Sequence, residues 1–253
     1  MNAPHAGFKD YFSGHADLYA KARPHYPVAL FDWIAHTAPA RGLCWDAGCG
    51  NGQASVTLAQ RFARVIATDP SARQIGNAES RSNIDYRVER AEHTTLAAQS
   101  VDAVTVAQAL HWFDLSAFIG EVRRVAKPGA AFAAWCYATC SVTPAVDAVV
   151  AHLYDAVLGA YWSAERRLTD TGYATLELPF GSVPQPAFEM RVDWNAVQLL
   201  AYLASWSAAQ KYRTATGRDA IADVAPELRQ AWGDPAAVRP VRWPLGLRAG
   251  RVV

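Results

Sequence analysis

One short run near the start of the chain carries the residue types that bind ligands: Trp45-Asp46-Ala47-Gly48-Cys49-Gly50-Asn51-Gly52-Gln53. Its three glycines, at 48, 50 and 52, allow the backbone to turn tightly and to approach a ligand closely. An apolar stretch precedes the run and a helical pattern follows it, so backbone N–H groups face the turn. The carboxyl end of a strand in an open α/β sheet is where ligands bind. We therefore expect a ligand site at this turn.

An acidic residue stands at the end of the next apolar stretch, where Asp69 follows Val65–Thr68. A carboxylate in this position accepts charge-assisted hydrogen bonds from both hydroxyls of a ribose. The alternative role is that of a helix N-cap beside Ser71. Because Asp69 follows a glycine-rich turn, the pattern favours a nucleoside cofactor.

The glycine spacing discriminates between nucleoside cofactors. A dinucleotide fingerprint needs glycines at its first, third and sixth positions, and the sixth position here is Gln53. The carboxylate of Asp46 is also unfavourable beside a pyrophosphate. S-adenosylmethionine has a ribose for Asp69 and a cationic amino-acid end that tolerates Asp46. A nicotinamide-dependent oxidoreductase remains the alternative.

The elements that must position these residues alternate regularly. Short apolar runs predict strands at Leu43–Ala47, Val65–Thr68, Ile84–Val88, Asp102–Ala107 and Ala130–Trp135. Helical patterns cover Ala29–His36, Ala54–Phe62, Ala72–Arg81 and Leu115–Val125, and Lys127-Pro128-Gly129 closes the last one. Such alternation is typical of a doubly wound α/β fold with a parallel sheet and right-handed crossovers.

The regular alternation of predicted strands and helices ends after Ala138. Apolar residues recur at helical spacing over 144–160, and a proline-rich loop follows. The remaining elements are predicted as a strand at Phe188–Trp194, helices at Val197–Tyr212 and Ala220–Trp232, and a closing strand at Val238–Val252. Pro240 and Pro244 confine this last strand to an edge or a bulge.

Composition excludes several classes of protein. The 253 residues carry a net charge of +1, with 51% hydrophobic and 19% charged residues, which is typical of a globular protein. Because the chain has almost no excess of basic over acidic residues, duplex nucleic acid and anionic membranes are poor partners. We find no apolar run long enough to cross a bilayer and no secretory signal. Cys44, Cys49, Cys136 and Cys140 fit no zinc spacing, so we expect free thiols in a cytoplasmic protein.

Several motifs together resemble the class I S-adenosylmethionine-dependent methyltransferases over roughly residues 40–138. They are the glycine motif LCWDAGCGNGQ, the acidic strand end VIATDPS, Ala91-Glu92 within VERAEHTTL, the fourth strand SVDAVTVAQALHWFD and the turn into the fifth, RVAKPGAAFAAW. The resemblance implies a Rossmann-like, mostly parallel seven-stranded sheet flanked by helices. It also implies an antiparallel final hairpin, and contacts from Ala91 and Glu92 to adenine.

Three further segments are similar to a small-molecule branch of this family, the type 11 methyltransferases that include trans-aconitate-methyltransferase-like proteins. They are Tyr19–Pro27, Gln108–Asp114 and the SWSAAQKY stretch around Trp206. In such enzymes the N-terminal segment folds over the cofactor, so Tyr19 and Arg23 are expected to reach its carboxylate. The chain is then one domain with an N-terminal cap (1–41), a cofactor core (42–138), and a helical lid or insertion with the C-terminal hairpin (139–253).

These patterns define a candidate site. The predicted cofactor-binding residues are Tyr19, Arg23, Asp46, Gly48, Gly50, Gly52, Gln53, Asp69, Ala91, Glu92, Gln108 and Trp112. His111 follows the fourth strand and is the candidate general base, with a loop-shaping histidine as the alternative. Trp112 either lies against the adenine or the sulfonium, or packs against the sheet. Gln108 is expected to contribute its backbone at the methionine end.

The acceptor region is expected to follow residue 138. Tyr161 and Trp162 lie where a lid could close, and Arg166 and Arg167 either meet a carboxylate or are ordinary surface residues. Five of the nine tryptophans also fall after residue 138. They favour an aromatic-lined acceptor pocket, although a tryptophan-rich core would give the same pattern.

The sequence therefore predicts an enzyme that transfers a methyl group from S-adenosylmethionine to a small molecule with an oxygen or nitrogen nucleophile, possibly a carboxylate. In-line transfer relies on alignment more than on any obligatory catalytic residue. For that reason an S-adenosylmethionine-binding protein without turnover remains a second alternative. We expect a monomer or a homodimer, with no metal, nucleic acid or membrane partner.

Overall fold

The computed structural model describes residues 24–234 and 236–253. Tyr19 and Arg23, two of the predicted cofactor-binding residues, lie outside the described part of the chain. The predictions for these two residues therefore stay predictions.

Nine strands and nine α-helices are found in the described residues. The strands are β1 Leu43–Ala47, β2 Arg64–Asp69, β3 Ile84–Val88, β4 Val101–Ala107, β5 Ala126–Cys136, β6 Gly181–Ser182, β7 Glu189–Trp194, β8 Arg239–Pro244 and β9 Gly246–Arg251. The helices are α1 Val28–Thr37, α2 Gln53–Leu58, α3 Ala72–Gly76, α4 Leu115–Val125, α5 Pro144–His152, α6 Arg166–Asp170, α7 Ala196–Ala204, α8 Ser207–Thr216 and α9 Ala220–Trp232.

Seven of the strands form one sheet in the order β3-β2-β1-β4-β5-β9-β6. The first five strands are parallel, and β9 runs antiparallel to both of its neighbours. This confirms the predicted doubly wound, mostly parallel sheet of seven strands. The carboxyl ends of β1, β2 and β4 meet at one edge, on either side of the point where the strand order reverses.

Alternating side chains bury both faces of the sheet. Cys44 of β1 and Ala103 of β4 lie in a core shared with α1 and α2. The neighbouring Trp45 and Val104 point the other way, into a core shared with α4. Because both faces are covered, these strands read as continuous apolar runs.

The chain after β5 builds a second, smaller layer with its own core. Helices α5 and α6 precede β6, whereas β7, α7, α8, α9 and β8 lie between β6 and β9. Strands β7 and β8 form a separate antiparallel pair. Trp206, Trp232 and Trp243 are buried in the core of this layer.

Several predicted boundaries are wrong in the second half of the chain. Val238–Val252 is two strands, because the backbone N–H of Leu245 bonds to Phe188 between them. Strands β6 and β9 are adjacent, but residues 183–245 separate them, so they do not form a hairpin. The predicted helix Val197–Tyr212 breaks at Ser205–Trp206, where the Ser205 hydroxyl bonds to the carbonyl of Tyr202.

Other boundaries shift by smaller amounts. Helices α2 and α3 end at Leu58 and Gly76, earlier than expected. The helix predicted over 144–160 leaves α geometry after His152 and continues as a π-helical turn at Leu153–Val157. Strand β5 begins at Ala126 rather than Ala130, with an irregular register opposite β4.

None of the helices in the described part of the chain has both the length and the apolarity that crossing a bilayer requires. The four cysteines are buried free thiols. Burial raises the pKa of the Cys136 and Cys140 thiols to about 12, so these two side chains behave as small apolar groups.

Candidate functional site

A cavity of about 350 Å³ opens at the edge where β1, β2 and β4 end. Nine predicted site residues line it: Gly48, Gly50, Gln53, Asp69, Ala91, Glu92, Gln108, His111 and Trp112. Two predicted residues, Asp46 and Gly52, are not among its lining. A volume of this size lies within the range of small-ligand pockets.

The loop after β1 is shaped by glycines in left-handed backbone conformations. Gly48, Gly50 and Gly52 have φ angles of +66°, +56° and +82°. A Cβ at Gly48 would lie 2.7 Å from the Cβ of Ala109 and 2.9 Å from the Phe113 ring. A Cβ at Gly50 would meet no protein atom within 4 Å. Gly48 therefore allows close packing of two loops, whereas Gly50 leaves open space along the cavity.

Asp69 ties the two loops at the end of the sheet together. One carboxylate oxygen accepts the backbone N–H of Gly50, and the other accepts that of Ser71, each at 2.9 Å. The N-cap of α3 is Ser71 itself, whose hydroxyl accepts the backbone N–H of Gln74. Asp69 therefore connects the glycine loop to the start of α3 at the wall of the cavity.

Asp46 lies beneath the glycine loop, completely buried. Its carboxylate accepts hydrogen bonds from the hydroxyls of Ser55, at 2.6 Å, and Thr105, at 3.0 Å. Burial raises the pKa of Asp46 to about 6, against the opposing effect of these two hydrogen bonds. Since β1 alternates its side chains, Asp46 points toward α2 rather than into the cavity. It supports the loop from below.

The segment after β3 forms the far wall of the cavity. Ala91 is buried, and the side chain of Glu92 is 15% exposed. Glu92 accepts the backbone N–H of Asp114 at 3.0 Å and the Nε–H of Arg90 at 3.2 Å. Because Asp114 is the N-cap of α4, Glu92 also anchors the start of that helix.

Gln108 has a more specific structural role than its sequence position indicates. Its φ is +54°, a strained conformation for a residue with a side chain. The side-chain amide donates to the carbonyl of Tyr137 at 3.0 Å and accepts the backbone N–H of Tyr137 at 2.8 Å. Gln108 thus clamps the end of β4 to the chain leaving β5, and both residues line the cavity.

His111 is a buried, neutral side chain at the cavity wall. It is 8% exposed, and its Nδ1 lies 2.9 Å from the hydroxyl of Tyr173. Burial, with a smaller effect from the charge of Arg166, lowers the pKa of His111 to about 3. A general base works best with a pKa near the working pH, so this environment disfavours that role. Trp112 lies against His111, with ring centroids 4.8 Å apart.

Residues after 138 close the cavity on the remaining side. Trp162 and Arg166 line it from one segment, and Tyr202 and Trp206 line it from α7 and the turn that follows. Of the two arginines considered from sequence, Arg166 faces the cavity and Arg167 is exposed outside it.

Sequence reasoning missed several lining residues, among them Tyr26, Ser71, Gln74, Tyr137 and Tyr202. One signal was available, because Tyr202 and Trp206 are spaced i, i+4 and Trp206 belongs to a motif already singled out. No local pattern marks Tyr173, which is fully buried with a φ of +61° and reaches His111 through tertiary packing.

Comparison with known proteins agrees with this arrangement. Residues 45–134 match the family model described as a methyltransferase domain. A relative from Dictyostelium discoideum, assigned as a methyltransferase, is 33% identical over 229 residues, covering 89% of this chain and 87% of the relative. A protein from Saccharomyces cerevisiae, assigned as an S-adenosylmethionine-dependent methyltransferase, is 30% identical over 139 residues, covering 51% of this chain and 46% of the yeast protein.

A solved structure shares the fold over nearly the whole chain. It is assigned as a type II methyltransferase from Anaeromyxobacter dehalogenans and is 48% identical in sequence. The match covers 91% of this chain and 98% of that one, with a TM-score of 0.86. The parallel sheet and the added layer after β5 therefore occur together in another protein.

Proposed function

The chain belongs to the class I S-adenosylmethionine-dependent methyltransferases of the type 11 branch, and on this premise we propose that it methylates a small molecule in the cavity described above. The observation that carries the proposal is the convergence of Gly50, Asp69 and His111 on one cavity at the switch point of the sheet. Membership of this family sets aside the nicotinamide-dependent oxidoreductase alternative.

The adenosine part of S-adenosylmethionine fits the side of the cavity near β2 and β3. Asp69 accepts one backbone N–H on each carboxylate oxygen and lines the cavity, where we place the two ribose hydroxyls. Ala91 offers a small buried surface for adenine, and Glu92 is held in place beside it. The charge on Asp69 makes its hydrogen bonds stronger than neutral ones.

The methionine part fits between the glycine loop and the end of β4. Gly50 leaves space where any side chain would enter the cavity, and the Gln108 clamp holds the opposite wall. Tyr19 and Arg23 remain proposed ligands of the cofactor carboxylate. Asp46 acts indirectly, by supporting the loop through Ser55.

When bound, S-adenosylmethionine supplies an electrophilic methyl group on a cationic sulfur. The protein must then align a nucleophile behind that methyl group and exclude water. Trp162 and Trp206 close the side of the cavity where we place the acceptor. His111 lies at this end as a neutral side chain that positions a ligand group rather than as a base.

The test is transfer of radiolabelled methyl from S-adenosylmethionine to a panel of small carboxylic acids, phenols and amines. We expect label in at least one extracted product with the wild-type protein and much less with Asp69→Ala. Tight cofactor binding without transfer to any acceptor class would instead support the alternative of a binding protein without turnover.

A further inference from the structure

Helix α4 carries a buried carboxylate that binds the chain segment following β3. Glu121 is 6% exposed, and its Oε1 accepts the backbone N–H of Thr94 at 2.8 Å and the Thr94 hydroxyl at 2.6 Å. The Thr94 oxygen in turn accepts the backbone N–H of Leu96 at 3.4 Å. Thr94 and Leu96 are themselves buried. Glu121 therefore fixes a stretch of backbone that begins two residues after Glu92.

Arg124 completes this network from the next turn of α4. Its Nε and Nη2 donate to the two carboxylate oxygens of Glu121 at 2.7 Å and 2.6 Å, which forms a bidentate ion pair. Its Nη1 also donates to the carbonyl of Leu96 at 2.8 Å, and Nη2 donates to that of Thr94 at 3.2 Å. Burial raises the pKa of Glu121, but the hydrogen bonds from Arg124 and Thr94 outweigh burial and lower this pKa to about 2. The carboxylate is therefore charged at neutral pH.

The same helix holds the segment at a second point. Asp114, the N-cap of α4, donates its backbone N–H to Glu92 at 3.0 Å. Glu92 belongs to a turn in which the backbone N–H of His93 donates to the carbonyl of Arg90 at 3.3 Å. Arg90, Ala91 and Glu92 line the cavity. Helix α4 thus holds this wall through a side chain in the turn and through the backbone directly after it.

A second buried carboxylate, at the opposite edge of the sheet, offers a matched comparison. Asp102 is fully buried near the start of β4 and accepts the backbone N–H groups of Gly42 and Leu43, each at 2.9 Å. The Nζ of Lys127 donates to its other oxygen at 2.7 Å. The two carboxylates therefore have similar kinds of partner, but Asp102 lies at the amino ends of the strands and Glu121 is connected to the cavity wall.

We propose that Glu121 and Arg124 are positioning residues for the cofactor. They hold the turn that carries Ala91 and Glu92 in the conformation that receives the adenine. Both side chains lie outside the lining of the cavity, so they act through Thr94 and the turn. A wall that is already ordered before binding lowers the conformational entropy that binding would otherwise cost. This inference rests on the proposed function, since it concerns the adenine end of the same cavity.

The test is calorimetric titration of the full chain with S-adenosylhomocysteine. Glu121→Gln keeps the size of the side chain but removes its charge, and it should weaken binding about three- to tenfold, the value of one hydrogen bond. Arg124→Gln should weaken binding by a similar factor. Asp102→Asn makes the same change from carboxylate to amide at the opposite edge, and Arg123→Gln replaces an exposed neighbour on α4. Both controls should bind as the wild type does.

Hydrogen exchange followed by mass spectrometry adds a readout that separates a local change from a general loss of stability. In Glu121→Gln the peptide over 90–96 should exchange faster than in the wild type, and the peptide over 42–47 should not. In Asp102→Asn this pattern should be reversed. Urea unfolding shows that each variant is folded. Should Glu121→Gln not fold, Arg124→Gln carries both comparisons, because the Arg124 side chain is 40% exposed.

Three results would overturn the inference while cofactor binding by the wild type stands. They are wild-type affinity in either folded α4 variant, equal losses of affinity in Glu121→Gln and Asp102→Asn, and wild-type exchange over 90–96 in Glu121→Gln. Failure of the wild type to bind S-adenosylhomocysteine would overturn both this inference and the proposed function.

Discussion

Asp69 is the residue on which the adenosine end of the proposed site depends most. Its carboxylate joins the glycine loop to the start of α3 and lines the cavity. The sequence alone left a helix-capping role open, but the cap is Ser71. Asp69 therefore has a part in holding the loop, and its role as a ligand stays a prediction.

Replacing Asp69 by alanine should weaken binding of S-adenosylhomocysteine by roughly ten- to hundredfold, the value of one charge-assisted hydrogen bond or more. Calorimetric titration measures this directly. Asp193→Asn is the matched control, because Asp193 is an exposed carboxylate at a strand end away from the cavity. Wild-type affinity in Asp69→Ala would remove this residue from the site.

His111 should carry its proton on Nε2 and stay neutral throughout the physiological range. The Tyr173 hydroxyl lies 2.9 Å from Nδ1, and donation of its proton to Nδ1 leaves the ring proton on Nε2. With its pKa near 3, the ring should not titrate between about pH 5 and pH 8.

Nitrogen-15 NMR of the histidine rings reports both the tautomer and the titration of His111. Tyr173→Phe keeps the buried ring but removes the hydroxyl, so the Nε2–H tautomer should lose its preference in that variant. A His111 signal that titrates near the usual histidine pKa in the wild type would contradict this assignment and reopen the role of a general base.

At the scale of elements, two glycines in the loop after β1 meet different structural requirements. Gly52 begins α2 in a left-handed conformation beneath the Tyr86 ring, where a Cβ would collide with the tyrosine. Gly50 has the same kind of conformation, but its Cβ would enter open space. Gly52 is required for packing, and we assign Gly50 to access of a ligand.

Three alanine substitutions distinguish these demands. Gly50→Ala and the control Gly217→Ala, at a remote helix end with φ of +70° and open space, should each lose roughly 1–2 kcal/mol of unfolding free energy. Gly50→Ala alone should also lose cofactor affinity. Gly52→Ala should lose more stability than either, because Tyr86 must move. Urea unfolding and cofactor titration give the two readouts, and equal affinity in all three variants would contradict the assignment of Gly50.

The buried Asp46 joins β1 to α2 and β4, and it should make stability depend on pH. Its pKa in the folded protein is about 6, above the ordinary value of 3.8, so the folded state binds the proton more tightly than the unfolded chain does. This contribution to stability is present below about pH 4 and is lost as pH rises through about 6.

Asp46→Asn should remove this pH dependence. As pH rises from about 4 to 7, the unfolding free energy of the wild type should fall relative to that of the variant, as measured by urea unfolding at each pH. Asp193→Asn serves again as the exposed control. A difference between wild type and Asp46→Asn that does not change with pH would show that Asp46 has an ordinary pKa in the folded protein.

Sequence reasoning succeeded where a strand or helix carries its own signal. Strands β1 and β3 and helix α4 have the predicted bounds. Helix α4 has a clear start signal, because the side chain of its N-cap Asp114 accepts the backbone N–H of Ala117. It failed where tertiary contacts decide. Leu245 divides the last strand by bonding to Phe188, and strand alternation turns Asp46 away from the cavity despite its place in the motif.

For the molecule as a whole, the added layer after β5 explains the surplus of tryptophan in two ways. Trp232 and Trp243 fill the core of that layer, whereas Trp162 and Trp206 line the cavity. The expected tryptophan-rich core is therefore present, and the aromatic acceptor pocket stays a prediction. The net charge of +1 gives the protein no strong overall electrostatic field. Any electrostatic contribution to ligand binding must therefore come from individual charged residues near the cavity.

The central claim is that this cavity binds S-adenosylmethionine, and calorimetric titration of the wild-type protein with S-adenosylhomocysteine tests it most directly. We predict saturable binding of one molecule per chain, and no comparable binding of NADH. No heat of binding up to high micromolar cofactor, with circular dichroism showing folded protein, would contradict the account, as would tight binding of NADH in place of S-adenosylhomocysteine.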